Sequence, residues 1–158
     1  MKIRHAKPSD ARQICDIWNP IIRNTMITFT TVEKTIGDME QQINGPDPFF
    51  VATDADRLLG FATYGPFRTG PGYVQTMEIS INLDDSARGQ GIGRQLLQTL
   101  ESAARDNTIT ALIAGVSSAN PSAIAFHKAN NYTVVGTLPK VGQKFDQRLD
   151  LVLLQKLL

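Results

Sequence analysis

Apolar residues recur at helical spacing in three stretches of the chain, with polar segments between them. The stripes are Ala11, Ile14, Trp18 and Ile22, then Ile36, Met39 and Ile43, and later Ile92, Leu96, Leu100 and Ala103. This spacing predicts amphipathic helices. Ser9 or Asp10 can cap the first helix and Thr35 the second, and Asn19-Pro20 is predicted to end or kink the first. A further helix is predicted to start near Pro121.

Alternating or continuous apolar runs between these helices predict strands. The runs are a short strand around Ile3, a hairpin in FFVATDADRLLGFATYG with its tip at Asp54-Ala55-Asp56, the segments TMEISINL and ITALIAGV, and the tail segments YTVVGTLPKVG and DQRLDLVLLQKL. ITALIAGV is apolar on both faces, as buried parallel strands are. Together these elements predict a single α/β (α+β) domain over residues 1–158, with a mixed sheet and helices on both faces.

The composition favours a small-molecule partner. The chain has 158 residues, 42% of them hydrophobic, and a formal net charge of +1, so no global field draws it to nucleic acid or to a membrane surface. No apolar run approaches the roughly 20 residues that span a bilayer. Cys15 is the only cysteine, and the N-terminus lacks the apolar core of a signal peptide. We therefore expect a cytoplasmic setting, no cysteine-based metal site, and core packing for Cys15.

A glycine-rich segment, ARGQGIG, precedes the third predicted helix. The dinucleotide-binding pattern G-x-G-x-x-G would need glycine at positions held by Arg94 or Leu96, and the phosphate loop of nucleotide hydrolases would need a Lys-Ser or Lys-Thr pair that is missing. What remains is a helix N-terminus with unobstructed N–H groups and Arg88 beside it, which suits an anion such as a pyrophosphate. On glycine content alone, the glycines can equally make a turn and let the helix pack.

The wider pattern resembles the GNAT superfamily of acyl-CoA-dependent N-acyltransferases: a strand with an acidic residue on its polar face, then RGQGIG, a helix, a strand and NPSAIAFHKANNY. Four stretches, IWNPIIRNTMITF, GFATYGPFR, YVQTMEIS and VGQKFDQRLDLVLLQ, resemble the phosphinothricin N-acetyltransferases and the related enzymes acting on methionine sulfoximine and sulfone. The resemblance covers the whole chain. It implies a mostly antiparallel sheet, acetyl-CoA as cosubstrate without a metal, and a homodimer.

The same resemblance implies the residues that bind acetyl-CoA. It places Arg88, Gly91 and Gly93 in the loop that holds the CoA pyrophosphate, and it assigns the thioester carbonyl to backbone N–H groups near Ile79 to Ile81. The full set of implied contacts is Ile79, Ile81, Arg88, Gly89, Gln90, Gly91, Ile92, Gly93, Arg94, Asn120 and Ser122.

Two side chains are candidates for catalysis. An amine attacks a thioester only as the free base, so a proton acceptor near the nucleophile helps at neutral pH. Glu78 lies on the polar face of TMEISINL, which would otherwise be a solvated sheet face, and the resemblance places the catalytic Glu there. His127 stands where the superfamily often has tyrosine; it can protonate the leaving thiolate, or it can be a packing or CoA-contacting residue.

The predicted acceptor site consists of Arg68 as a clamp for polar oxygens, Thr76 as a hydrogen-bond donor, and Phe29 and Phe67 as walls. Lys144 can reach the same pocket, within the chain or from a partner subunit. The chain has TGPG where the subfamily often has a second basic residue after the Arg68 position, so we expect better use of methionine sulfone or sulfoximine than of phosphinothricin.

Three function classes stay open. The preferred class is an acetyltransferase for the amino group of a small amino-acid-like molecule, by direct transfer. The alternatives are an acetyltransferase for a protein N-terminus or lysine, and a non-catalytic acyl-CoA-binding module, which would not need Glu78. DLVLLQKLL has apolar residues on both faces, more than an edge strand facing water should show, so we expect a homodimer, as the resemblance also implies; cover by helices of the same subunit is the other explanation.

Overall fold

The computed structural model describes residues 1–158, and it contains four α-helices and seven strands. The helices are α1 (Ala11–Asn24), α2 (Ile36–Ile43), α3 (Ile92–Asp106) and α4 (Pro121–Ala129). The strands are β1 (Lys2–His5), β2 (Phe49–Asp54), β3 (Arg57–Pro66), β4 (Thr76–Leu83), β5 (Ala111–Ser117), β6 (Thr133–Lys144) and β7 (Gln147–Leu157). Short 3₁₀ turns lie at Pro8–Asp10, Pro71–Tyr73 and Asp85–Ala87.

All seven strands form one sheet in the order β1-β2-β3-β4-β5-β7-β6. Every neighbouring pair is antiparallel except β4 with β5. The mixed, mostly antiparallel sheet is therefore confirmed. β5 lies between β4 and β7, and it is the strand predicted from ITALIAGV to be covered on both faces.

Two apolar clusters lie on opposite faces of the sheet. Alternate residues of β2 separate them, because Phe50 and Ala52 belong to the cluster under α3, while Phe49 and Val51 belong to the cluster under α1 and α2. Helices on both faces are thus confirmed. Cys15 is buried in the second cluster, which confirms its predicted core role. We refer below to the α3 face and the α1 face of the sheet.

The first helix differs from its prediction, because α1 continues through Pro20 to Asn24. Proline removes the N–H that would bond to the carbonyl of Asp16, but both residues are exposed, so water can solvate that carbonyl. The capping prediction for Asp10 is also modified. Its carboxylate accepts from the N–H of Lys7 and pairs with Arg4 at 2.7 Å, so it closes the preceding 3₁₀ turn instead of capping α1 with its side chain.

The tail also differs from its prediction. β7 is an inner strand between β5 and β6, and α4 packs against it, so its apolar residues do not mark it as a sheet edge. The edge strand on this side of the sheet is β6, and β1 forms the other edge. β6 exposes four apolar side chains, those of Val134, Val135, Leu138 and Val141.

Candidate active site

The sheet opens between β4 and β5. These parallel strands pair only at Thr76, Met77 and Glu78, although β4 continues to Leu83 and β5 to Ser117. Beyond Glu78 the β5-facing backbone groups of β4 therefore have no strand partner. Unpaired backbone polar groups in the middle of a sheet call for another hydrogen-bonding partner.

A cavity of about 410 Å³ occupies this opening. Its lining on the α3 face includes Arg88, Gly89 and Gly93 at the start of α3, and Asn120, Ser122 and His127 of α4 and its cap. Its lining on the α1 face includes Trp18, Ile21, Ile27 and Thr28. Between them lie Ile79 to Leu83 of β4 and Ala114 to Val116 of β5. The cavity therefore crosses the sheet, so two molecules can approach each other from opposite faces.

The N-terminus of α3 is suited to an anion. Gly91 precedes the helix with a φ of 77°, no side chain caps the helix, and a Cβ at Gly91 would meet nothing within 4 Å. Gly89 has a φ of 74°, and both values favour glycine. The first N–H groups of α3 are left open at the positive end of its dipole. Arg88 lies beside them on the cavity wall, paired with exposed Asp85 at 3.1 Å.

The other predicted contacts of this segment have different surroundings. Ile92 is buried in the α3-face core, and Gln90 donates from its side chain to the carbonyl of Ser86. Arg94 is exposed, and none of the three side chains lines the cavity. A Cβ on Gly93 would lie 3.4 Å from both Leu83 and Phe126, so this glycine lets α3 pack closely against β4 and α4. The packing role considered for the glycines thus holds for Gly93, which also lines the cavity.

Glu78 lies at the point where the strands separate. It is on the α1 face, and its Oε1 lies 2.9 Å from the position that a Cβ on Gly115 would occupy. Gly115 is the one exposed position of β5, because it faces the cavity. Glu78 is exposed and is not among the residues that line the cavity. It makes no salt bridge, and partial desolvation raises the pKa of its carboxyl above the ordinary value. A carboxylate with a raised pKa is a better proton acceptor for an amine than a solvated one.

His127 lines the cavity from the α3 face. Its side chain is 4% exposed, its ring packs edge-on against Phe126 and Tyr132, and its Nδ1 has no hydrogen-bond partner. Burial lowers the pKa of His127 to about 4, so the ring is neutral at pH 7. A neutral imidazole is a poor acid, so this environment supports the packing or CoA-contacting role and not the general-acid role.

Asn120 and Ser122 form the start of α4. The Asn120 carboxamide oxygen accepts from the N–H of Ala123 at 3.2 Å and from the Ser122 hydroxyl at 2.9 Å. These bonds cap the helix and fix both side chains on the cavity wall. Their polar atoms thus lie close to the N-terminus of a second helix on the α3 face.

The predicted acceptor residues are not brought together. Thr76 lies two residues before Glu78, on the same face of β4. Arg68 is exposed, with its guanidinium 5.6 Å from the centre of the Phe67 ring, and neither residue lines the cavity. Phe29 packs instead against Gly142 of β6.

Lys144 is placed differently from its prediction. Its side chain is 3% exposed, and its ammonium donates to the backbone carbonyl of Thr28 at 3.1 Å, within the same chain. It does not line the cavity, because residues of the loop 25–34 lie between them. A direct contact between Lys144 and a substrate is therefore not supported.

Sequence reasoning missed several cavity residues. Trp18 was predicted only as part of an apolar helix stripe. Ile21, Ile27 and Thr28 lie in IWNPIIRNTMITF, one of the stretches that carry the family resemblance, but no role in the site was predicted for them, nor for Asn82 and Gly115. Only Gly115 carried a signal that could have pointed to the cavity, since a glycine inside an otherwise apolar strand often marks a close approach of another group.

The structure has no group of three or more His, Cys, Asp or Glu side chains that could hold a metal ion. None of its helices has the length and apolar character of a membrane span.

Comparison with known proteins agrees with this geometry. The acetyltransferase (GNAT) domain family matches residues 3–153. The chain is 33% identical to the L-methionine sulfoximine/L-methionine sulfone acetyltransferase of Pseudomonas paraeruginosa, over 97% of this chain and 92% of that protein. This chain therefore belongs to the acetyltransferase (GNAT) domain family, and it is an acetyltransferase.

Two solved structures share the fold along its whole length. The ribosomal-protein-alanine N-acetyltransferase of Brucella melitensis has a TM-score of 0.95 and 35% identity, covering 100% of both chains. The phosphinothricin acetyltransferase of Sinorhizobium meliloti, in complex with acetyl-CoA, has a TM-score of 0.93 and 29% identity, covering 99% of this chain and 88% of that one. The relatives thus include enzymes named for small amino-acid-like substrates and one named for a protein substrate.

Proposed function

We propose that this protein transfers the acetyl group of acetyl-CoA to the α-amino group of a small amino acid of the methionine sulfone or methionine sulfoximine type. The observation that carries the proposal is the cavity that crosses the sheet beside Glu78. It allows the donor to bind on the α3 face and the amine on the α1 face, where the carboxylate lies. Such an arrangement fits direct transfer without an acyl-enzyme intermediate.

The α3 face has the groups that acetyl-CoA requires. The open N–H groups of residues 89–93 and the guanidinium of Arg88 suit the pyrophosphate. Backbone N–H groups near Ile79 to Ile81, freed where β4 leaves β5, suit the thioester carbonyl and the oxyanion that develops from it. Asn120, Ser122 and His127 complete the wall on this side.

Glu78 would act as the general base. The amine nitrogen forms a bond to the acetyl carbon, the proton that the amine gives up passes to the Glu78 carboxylate, and the carbon–sulfur bond breaks with its electron pair on sulfur. A thiol has a pKa of about 8.5, so the thiolate can leave and take a proton from water without an acid from the protein. This fits a neutral His127. Arg68 and Thr76 remain proposed contacts for the polar end of the substrate.

A second candidate is acetylation of a protein N-terminus, and the relative from Brucella melitensis favours it. A peptide would need an open path away from the α1-face end of the cavity. The loop 25–34 lies across that end, since Ile27 and Thr28 line the cavity and Phe29 packs on β6. This closure favours a compact amine over a peptide chain.

A panel of amines tests the proposal through release of CoA, detected with a thiol reagent. Methionine sulfone, methionine sulfoximine and phosphinothricin are compared with a peptide that has N-terminal alanine. We expect the highest kcat/KM for the sulfone or sulfoximine, because the anionic phosphinate of phosphinothricin calls for a cation at the amine end of the cavity. The only charged side chain that lines the cavity is that of Arg88, and it lies at the donor end. Activity confined to the peptide would refute the small-molecule assignment, and CoA binding without turnover would indicate a binding module.

We also propose a homodimer formed through β6. The exposed fractions of Val135 and Val141 are 54% and 56%, and those of Leu138 and Val134 are 44% and 39%. Apolar side chains along a sheet edge stabilise a protein when a second strand or subunit covers them. Sedimentation should give a dimer at micromolar concentration, and Val141→Glu should shift it toward monomer. A monomeric wild-type protein would contradict this assembly.

A further inference from the structure

Contacts with β5 and β6 fix the segment that lines the acceptor end of the cavity. Residues 26–29 follow α1, and two of them, Ile27 and Thr28, line the cavity. This segment has no regular secondary structure, so its shape depends on contacts with other elements. Three successive contacts fix it, and two come from the last residues of β6.

The first contact comes from β5. The hydroxyl of Ser117 donates to the carbonyl of Met26 at 2.7 Å. Ser117 is 3% exposed, and its oxygen in turn accepts from the N–H of Ala119 at 3.2 Å. A buried hydroxyl with both a donor and an acceptor partner has a defined orientation, so it positions Met26.

The second and third contacts come from the same face of β6. The Lys144 ammonium donates to the carbonyl of Thr28, and the Phe29 ring lies where a Cβ on Gly142 would be, with ring atoms 2.6 Å from that point. Gly142 and Lys144 are buried, while Gln143 between them is exposed, although most of β6 is exposed. The edge strand is thus buried only at its end, where it meets residues 28 and 29.

We infer that Lys144 is a positioning residue for the acceptor pocket, acting through the Thr28 carbonyl. This inference rests on the proposed function, since it assigns residues 26–29 to the amine side of the cavity. A buried ammonium that finds one carbonyl acceptor holds that carbonyl firmly, because breaking the bond would leave both groups unsatisfied. Burial also lowers the pKa of the Lys144 ammonium, as expected for a cation held away from water.

Substitution of Lys144 tests the inference by separating the two substrates. Lys144→Met keeps a long apolar side chain but removes the donor, and Lys144→Arg keeps a donor. Lys140→Met is the matched control, because Lys140 lies exposed on the same strand and only its backbone N–H is bonded, to Asp150. The measurements are KM for methionine sulfone, KM for acetyl-CoA, kcat, and hydrogen exchange of the backbone amides in residues 25–34.

Lys144→Met should raise KM for the amine about tenfold and leave KM for acetyl-CoA within about twofold, because a loosened pocket loses preorganisation only on the amine side. Amides of residues 25–34 should exchange faster in this variant. Lys144→Arg should restore most of the amine affinity, and Lys140→Met should behave as wild type. Gly142→Ala should reproduce the pattern of Lys144→Met, because its Cβ displaces Phe29.

Equal increases in both KM values would indicate general damage to the fold and would overturn the inference. Unchanged amine KM and unchanged exchange in Lys144→Met would overturn it as well. If the wild-type protein acetylates none of the amines, the proposed function fails. The exchange comparison still decides whether Lys144 fixes residues 26–29, since unaltered exchange refutes that part without reference to activity.

Discussion

Substitution of Gly115 by alanine offers a direct test of the position of Glu78. The added Cβ would lie 2.9 Å from Oε1 of Glu78, roughly 0.5 Å inside ordinary van der Waals contact. Leu151 also lies 3.4 Å from the same point, and the backbone fixes the direction of a Cβ, so the added methyl group has little freedom to move. The carboxylate must therefore move, and it can do so because it ends a flexible side chain.

The expected cost falls on catalysis and not on stability. A general base contributes roughly 10²- to 10⁴-fold, and misplacement by about 1 Å can cost about 100-fold, so we expect kcat to fall about 10- to 100-fold. The free energy of unfolding should change by less than about 1 kcal/mol, since alanine in place of glycine also reduces the entropy of the unfolded chain. KM for acetyl-CoA should stay within about threefold.

The assay is steady-state release of CoA with methionine sulfone, together with urea unfolding. Gly136→Ala is the matched control, because Gly136 is also a strand glycine and a Cβ there meets nothing within 4 Å. The decisive comparison is the double variant of Gly115→Ala with Glu78→Gln. If the methyl group acts only by displacing the carboxylate, it should cause no further loss once the carboxylate is gone. Additive losses would refute the reasoning, as would an unchanged kcat in Gly115→Ala alone.

Three further predictions follow from the site. Glu78→Gln should lower kcat about 10²- to 10⁴-fold with nearly unchanged affinity for CoA. It should also remove from the pH–rate profile the inflection that comes from deprotonation of Glu78, whose midpoint lies above the ordinary glutamate pKa because desolvation raises it, while the inflection of the substrate amine stays. Gly91→Val should abolish the thermal stabilisation by CoA, because valine is strained at a φ of 77°; a wild-type shift would exclude this loop as the CoA site. His127 has a pKa of about 4 in the fold, below its ordinary 6.5, so protonation favours the unfolded chain and stability is lost as pH falls from 6.5 toward 4. His127→Phe should remove up to about 3 kcal/mol of this loss in urea unfolding followed against pH, and an unaltered pH dependence would contradict the assigned burial.

Local patterns predicted the elements well because each has a short-range cause. Three of the four stripe residues of α3, Ile92, Leu96 and Leu100, are buried, and Thr35 caps α2 by accepting from the N–H of Asp38 at 3.1 Å. Contrary to the prediction, α1 does not end at Pro20, because the cost of proline depends on whether water can reach the carbonyl of Asp16, which loses its hydrogen-bond partner. The solvent exposure of that carbonyl is set by the tertiary structure and not by the local sequence. The position of the tail was not predictable for a similar reason, since β7 becomes an inner strand only through its pairing with β5 and β6 in space.

Those parts of the candidate site that belong to a sequence motif could be predicted. Those parts that depend on how distant strands pair in the sheet could not. The glycine loop and Glu78 could be singled out from spacing and resemblance. The cavity could not, because it exists only where β4 and β5 stop pairing, and these strands are joined through α3. Lys144 was expected to touch substrate, yet it lies 116 positions from Thr28 and bonds to its carbonyl. No local pattern indicates which of two such distant segments covers the other.

The single parallel pair in the sheet links the fold to the chemistry. On one side, the antiparallel strand β3 pairs with β4 as far as Leu83. On the other side, the parallel strand β5, which follows α3, pairs with β4 at three residues and then diverges from it. Because the side chains of β4 alternate, Ile79 and Ile81 face the core under α3 while Glu78 faces α1. The backbone freed by the divergence thus lies between a helix N-terminus that suits an anion and a carboxylate that suits an amine. The direct transfer that we propose needs these two groups on opposite sides of one opening, and the sheet has such an opening where β4 and β5 separate.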